Sequence, residues 1–243
     1  LGTPLAPLLE EAGLEDAVHS LVFSGEDKGI EVEEPIYYQR SLSREDAMNA
    51  QALLVYGMNG EPLPAAFGSP LRLIVPRWYG MASVKWLSRI EAIDSEFDGY
   101  YMKYAYRNKQ SESDPGKEIR LQRVRSVIAP PGIKYRHQGE RLVNSGFVEI
   151  QGKAWSGAGS IAKVELSFDG GQSWQVAQLG EAPGSFAWTP WTFAWQARPG
   201  TFELLSRATD SLGNSQPFET DWNYLGMENN SIQRVSVIVA GTP

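Results

Sequence analysis

The chain has 243 residues, with 22 Lys+Arg against 29 Asp+Glu, 42% hydrophobic and 21% charged residues, and no cysteine. That length holds one large domain or two medium ones, and the missing thiols exclude a disulfide framework, a thiolate zinc site, an iron–sulfur cluster and a cysteine nucleophile within these residues. A net charge of −7 argues against broad nucleic-acid binding, and two histidines, His19 and His137, are too few for a His-rich metal site.

The chain opens on Leu1-Gly2-Thr3-Pro4, with neither an initiator Met nor a signal pattern, so a processed or truncated chain is expected. Pro4–Ala12 sets Leu5, Leu8, Leu9 and Ala12 at helical spacing, with Gly13 as the stop. His19–Phe23 predicts a short strand that runs into a turn at Ser24-Gly25-Glu26-Asp27. The acidic run Glu31-Val32-Glu33-Glu34 is either a solvated loop or a set of metal ligands. Ser43 with Asp46 predicts a capped helix through about Leu53. Leu71–Val75, stopped by Pro76, and Val84–Ile93 are strand candidates. Asp94, Glu96 and Asp98 form an acidic cluster without a His partner. No apolar run approaches the roughly 20 residues of a membrane span.

The polar stretch Asn108–Glu118 predicts an exposed loop, and Pro130-Pro131-Gly132 follows soon after. The domain change is placed here, with an α+β domain over 1–122 and an all-β domain over 123–243. In the second, Phe147–Ala154, Ile161–Phe168, Trp174–Ala177, Phe186–Trp195, Phe202–Ala208 and Ile232–Val239 are strand-like. Asp169-Gly170-Gly171 signals a hairpin. This pattern fits an immunoglobulin-like sandwich. Trp191, Phe193 and Trp195 alternate along one strand face, either as sandwich core or as a sugar-stacking platform in a carbohydrate-binding module.

Gly80-Met81-Ala82-Ser83-Val84-Lys85-Trp86 places a hydroxyl, backbone amides and a Lys side by side. Such a segment can cradle a phosphate, or it can be a turn with an exposed Lys. It is preceded by Met58-Asn59-Gly60-Glu61-Pro62-Leu63-Pro64, Gly68-Ser69-Pro70-Leu71-Arg72 and Trp78-Tyr79-Gly80. It is followed by Gly152-Lys153-Ala154-Trp155-Ser156-Gly157, Asp169-Gly170-Gly171-Gln172-Ser173-Trp174 and Arg207-Ala208-Thr209-Asp210. This collinear set, spread over nearly the whole chain, resembles the sulfite oxidase family of molybdopterin oxidoreductases.

The resemblance implies a sulfite oxidase-like α+β molybdopterin-binding domain, incomplete at its N-terminal side, followed by an immunoglobulin-like dimerisation domain. It implies a molybdopterin cofactor contacted by Asp27, Arg72, Ser83, Val84 and Lys85. Tyr106 would stand near the metal oxo group, and Arg234 would be the arginine that the second domain adds to the substrate-anion pocket. Two departures stand out. The family's cofactor-contacting His is replaced by Phe67, which can pack but not donate a hydrogen bond. The Cys that ligates molybdenum is absent, so no metal ligand is expected in this chain and the ligand would lie upstream of it.

The complete protein is then expected to oxidise sulfite or a similar small oxyanion, to form a homodimer through its second domain and to pass electrons to a haem acceptor. A non-catalytic dimerisation remnant is the alternative. Family members occupy bacterial periplasm, mitochondria and peroxisomes, which leaves the compartment open, with bacterial periplasm or cytoplasm as the expectation.

Overall fold

The structure, a computed structural model, describes residues 1–31, 33–135 and 139–241. Val32, His137 and the side chain of Glu31 lie outside the described residues, so the ligand reading of Glu31–Glu34 is not resolved by it. The chain divides into two units.

The first unit comprises Leu1–Arg120 and Trp222–Met227. Its elements are β1 (Gly2–Pro4), α1 (Leu5–Glu11), β2 (Ser20–Glu31), β3 (Glu34–Ser43), α2 (Arg44–Asn49), β4 (Leu53–Val55), β5 (Gly57–Met58), β6 (Glu61–Pro62), β7 (Arg72–Ile74), β8 (Leu87–Ile93), β9 (Arg107–Asn108) and β10 (Lys117–Glu118). A π turn spans Tyr101–Ala105. Two antiparallel sheets, β1-β4-β7 and β3-β2-β8, share a core of Leu5, Leu9, Leu21, Phe23, Leu42, Leu73, Val84 and Leu87.

Leu5 and Leu9, one helical turn apart, are the buried stripe of α1. The helix stops where Gly13 takes φ +77° and its N–H bonds back to the Glu10 carbonyl. Ser43 caps α2 by accepting from the Asp46 N–H at 3.0 Å. The expected run to Leu53 is wrong. Ala50 is the C-cap, Gln51 sits at φ +53°, and Leu53–Val55 is a strand between β1 and β7.

The turn expected at Ser24–Asp27 is also wrong. β2 continues to Glu31, and the polar residues sit in an irregularity where the register with β3 slips between Ser24 and Lys28. A bulge re-aims side chains without ending the strand. The stretch 108–118 is an exposed loop over most of its length, as expected, but a tethered one. The β9–β10 pairing ties its ends, and the Asp114 carboxylate accepts from the N–H groups of Gln110 and Gly116. Trp222–Met227 joins this unit through the Tyr224 N–H, which donates to the Lys109 carbonyl at 2.8 Å, and through the Asn223 side chain, which bridges the backbone N–H and carbonyl of Met227.

The second unit comprises Leu121–Asp221 and Glu228–Pro243. Its strands are β11 (Arg125–Ala129), β12 (Ile133–Tyr135), β13 (Glu140–Asn144), β14 (Gly146–Trp155), β15 (Ile161–Ser167), β16 (Gln175–Val176), β17 (Gln178–Leu179), β18 (Thr189–Ala197), β19 (Gly200–Asp210) and β20 (Arg234–Ala240). They form two sheets among the described residues, β11-β14-β18-β17 and β12-β13-β20-β19-β15-β16. Strict alternation supplies the core, as in Val235, Val237 and Val239 of β20 or Ile150 and Ala154 of β14.

Trp191 is 1% exposed and Trp195 7%. Trp195 stacks on Phe168 with ring centroids 5.1 Å apart and meets Phe202 edge-on. This face is therefore core, and the sugar-platform reading of Trp191, Phe193 and Trp195 falls with it.

Asp169-Gly170-Gly171 does lie between paired strands, β15 and β16, but in the longer connection 168–174. Asp169 organises it by accepting from the N–H groups of Gln172 and Ser173 and from the Ser173 and Ser167 hydroxyls. The buried Asp210 does the same at the end of β19, with Asn214, Ser156 and the Leu212 N–H as donors. Hydrogen bonds from Ser173, then Ser167, hold Asp169 well below the usual carboxylate range. At Asp210 burial pushes the other way, but the Asn214 and Ser156 bonds outweigh it and the net shift is downward.

A carboxylate depressed in the folded state stabilises the fold above its unfolded value, about 3.9, and loses that contribution as pH falls toward the folded value. The melting temperature of the second unit should therefore drop on acidification below about pH 4. Asp169→Asn and Asp210→Asn should each flatten that dependence. Equal acid slopes in wild type and both variants, read by calorimetry, would exclude these two groups.

Candidate functional site

In the first unit, backbone close to β2, β7 and the segment before β8 forms a cradle. Gly25, inside the β2 irregularity, has no room for a side chain: a Cβ there would stand 2.3 Å from Asp27 Oδ1 and 2.7 Å from the Lys85 carbonyl. Gly68 is equally tight, with φ +104° and a would-be Cβ 2.8 Å from that of Lys85. Asp27, Gly68 and the 83–86 segment are thus held against one another by two glycines.

Hydrogen bonds complete the arrangement. The Trp86 N–H donates to the Gly68 carbonyl at 3.3 Å, and the Glu26 N–H donates to the Trp86 carbonyl at 2.9 Å. The Trp86 indole N–H reaches the Ala65 carbonyl at 2.9 Å, and Lys85 Nζ reaches that of Ala66 at 3.2 Å. Trp86 adopts φ +46°, an uncommon conformation for a bulky residue that the surrounding bonds over-determine.

Of the residues singled out in the sequence, Asp27, Phe67, Arg72, Ser83, Val84 and Lys85 converge here. Arg72 donates to the Phe67 carbonyl at 3.0 Å and to the Ser83 carbonyl at 3.3 Å. Burial lowers the pKa of its guanidinium, which nonetheless stays charged. Ser83 Oγ accepts from the Val75 N–H at 3.0 Å. Val84 is fully buried in the core, so its side chain faces no ligand and its contribution is backbone only. Phe67 is half exposed.

Two buried polar atoms here have no partner in the structure: Asp27 Oδ1 and Arg72 Nε. An acceptor and a cationic donor left open within one cradle fit a group that carries both N–H donors and a phosphate. A pterin phosphate is such a group.

Tyr106 follows the π turn and is flanked by residues that sequence reasoning missed, Tyr38 and Arg40. The Arg40 guanidinium lies over the Tyr106 ring, 5.6 Å from its centroid, and the Tyr38 ring meets it edge-on at 6.4 Å. Tyr38 donates to the Met81 carbonyl at 2.6 Å. Burial, then the neighbouring Tyr106, raises the Tyr38 pKa, so its phenol stays protonated. The bond to Met81 sets the aromatic group two residues along the chain from Ser83 of the cradle. The signal for Arg40 lay in strand alternation, since Tyr38, Arg40 and Leu42 share one face of β3.

Arg234 stands in the second unit, at the start of β20. It pairs with Glu203 at 3.1 Å and Glu219 at 4.0 Å, and lies 4.7 Å over the Phe218 ring. Asp98 pairs with Lys103, and no group of three or more metal-ligating side chains occurs among the described residues. No helix among them is long and apolar enough to cross a membrane.

Comparisons with known proteins agree with this geometry. Residues 1–101 match the family model described as oxidoreductase molybdopterin binding domain, and residues 117–240 match the Mo-co oxidoreductase dimerisation domain. The chain is 32% identical to the mitochondrial sulfite oxidase of Drosophila melanogaster, over 97% of this chain and 44% of that protein. It is 34% identical to the nitrate reductase [NAD(P)H] of Hordeum vulgare, over 83% of this chain and 25% of that protein. Among solved structures, the sulfane dehydrogenase SoxCD from Paracoccus pantotrophus superposes with a TM-score of 0.82 at 30% identity. That match covers 96% of this chain and 58% of the other. The chain thus spans less than half the length of these curated relatives.

Proposed function

From the premise that the chain belongs to the sulfite oxidase family of molybdopterin-dependent oxidoreductases, with molybdopterin as its cofactor, we propose that it forms the cofactor-holding and dimerising part of an enzyme that transfers an oxygen atom to sulfite or a similar small anion. The observation that carries this reading is the open pair Asp27 Oδ1 and Arg72 Nε in a cradle closed by Gly25 and Gly68.

The bound cofactor supplies the oxygen transfer and the two-electron redox chemistry; the protein supplies binding, orientation and electrostatics. In this reading Arg72 and Lys85 hold the phosphate, Asp27 and Ser83 engage the pterin edge, and Val84 contributes backbone. Phe67 packs against the pterin where it cannot donate a hydrogen bond. Tyr106, through its hydroxyl, orients the substrate anion. These 243 residues contain no cysteine, so a thiolate ligand to the metal is not among them. We assign residues 1–122 to the cofactor domain and 123–243 to an immunoglobulin-like sandwich that makes the homodimer. A haem group is the expected electron acceptor.

Molybdenum and pterin content per chain, measured with sulfite-dependent reduction of an artificial acceptor, tests the proposal. Stoichiometric cofactor and turnover support it. Neither pterin nor turnover in the protein as its own organism makes it would sink it. Phe67, in place of a hydrogen-bonding residue, favours a second reading in which the protein dimerises without holding metal. A dimeric mass by light scattering with no molybdenum would select that one.

A further inference from the structure

Arg40 is 2% exposed, the largest fully buried side chain of the first unit. Its Nη1 donates to the Tyr101 carbonyl, at the first residue of the π turn, while its guanidinium covers the ring of Tyr106, the residue after that turn. One side chain therefore grips both ends of the segment that presents Tyr106. Tyr101 and Tyr106 also stack, with centroids 6.1 Å apart, and Arg107 takes the next carbonyl of the turn, that of Met102, at 3.0 Å.

The charge on Arg40 is not balanced by what surrounds it. Among the described residues it makes no ion pair within 4.0 Å, and its Nε is buried without a partner. Burial disfavours its charge most; of the charged groups that act on it, Glu118 favours the cation and Arg107 opposes it. A buried guanidinium with no carboxylate in contact is unfavourable, because desolvation is repaid only by close opposite charge. Retained beside a tyrosine whose hydroxyl is a candidate anion contact, it leaves positive potential for an anion to satisfy.

We infer that Arg40 is a positioning residue of the Tyr106 pocket: it clamps the π turn, fixes the Tyr106 ring, and lends the pocket the fixed positive charge that selects an oxyanion over a neutral molecule of similar size. The inference rests on the proposed function only in taking Tyr106 as the oxyanion contact.

Sulfate is the probe, and the full chain is labelled with ring-13C tyrosine. The Tyr106 resonance is assigned by its loss in Tyr106→Phe. In wild type, sulfate should shift that resonance; no shift overturns the inference whatever the variants do. Arg40→Met should weaken sulfate binding about tenfold, the order of one charge-assisted contact. Arg40→Lys should recover part of the loss. In the double variant with Tyr106→Phe, Arg40→Met should cost less than it does in wild type, because the hydroxyl it positions is already gone and only its charge remains to be lost. Unchanged sulfate affinity in Arg40→Met, or a fully additive loss in the double variant, overturns it. A purely structural role would lower the melting temperature of both Arg40 variants and leave their sulfate affinity at the wild-type value. Cofactor-loaded protein that fails to oxidise sulfite, yet shows the Tyr106 shift, would sink the proposed function and leave this inference standing.

Discussion

Gly152→Ala is expected to unfold the second unit or to strip it of several kcal/mol. A Cβ at Gly152 would lie 2.2 Å from Trp191 Cζ2 and 2.2 Å from the Val127 carbonyl oxygen. Neither neighbour can yield cheaply. Trp191 is locked in the core, and β11 pairs with β14 at this point through Ile128 and Gly152. Overpacking in such a site costs about 1–3 kcal/mol even where relaxation is possible. Trp191→Ala, which empties the same space, should cost about 3–5 kcal/mol. The double variant should lose less than the sum of the two, since the added methyl then meets a cavity and only the carbonyl clash remains. Urea unfolding followed by tryptophan fluorescence reads all three. A Gly152→Ala protein within about 0.5 kcal/mol of wild type would show that the strands part more easily than this packing implies.

The second large effect is expected at Gly25. A methyl group there meets the Lys85 carbonyl and Asp27 Oδ1, so Gly25→Ala must push the two walls of the cradle apart. About 1–3 kcal/mol of strain placed in the ligand-holding geometry corresponds to roughly five- to 150-fold weaker capture of the cofactor. Pterin and molybdenum recovered per chain should fall accordingly, while the second unit melts as before. Gly68→Ala should act in the same direction, because it adds a left-handed φ of +104° to a Cβ contact at 2.8 Å. Full cofactor occupancy in both variants would mean that the cradle does not hold the group.

Six strands of the second unit, β14, β15, β16, β18, β19 and β20, were legible because period-2 alternation and Gly-containing connections mark their faces and, to within a few residues, their ends, whereas the short β12, β13 and β17 were not. The same rule made Trp191 and Trp195 readable as a shared face but not as a buried one, since alternation does not say which face meets another sheet. The β2 strand escaped at Ser24-Gly25-Glu26-Asp27 because these are turn residues by composition. They serve instead a bulge stabilised by pairing to β3 and β8, a tertiary effect. The short helix after Ser43 was legible at its cap, where one hydroxyl decides, and not at its end, where pairing of Leu53–Val55 between two other strands decides.

At the candidate site, resemblance picked out residues that the fold does bring together, from Asp27 in β2 to Lys85 ahead of β8. What it could not supply was Arg40. Alternation puts Arg40 on one strand face with Tyr38 and Leu42, but only the π turn and three tyrosines enclosing it show that this face buries the charge. Burial of a cation is a property of everything packed around it, and local sequence carries little of that.

The short segment Trp222–Met227 has a genetic consequence. It lies a hundred residues after the first unit's main stretch ends, yet it is built into that unit through Lys109 and its own asparagine bridge. Two units interleaved in this way cannot be exchanged by one crossover in a gene. A recombinant that swapped everything after residue 122 would hand the first unit a foreign piece of its own wall. Descent with both halves together is thus favoured by the chain path itself, independently of any advantage in catalysis.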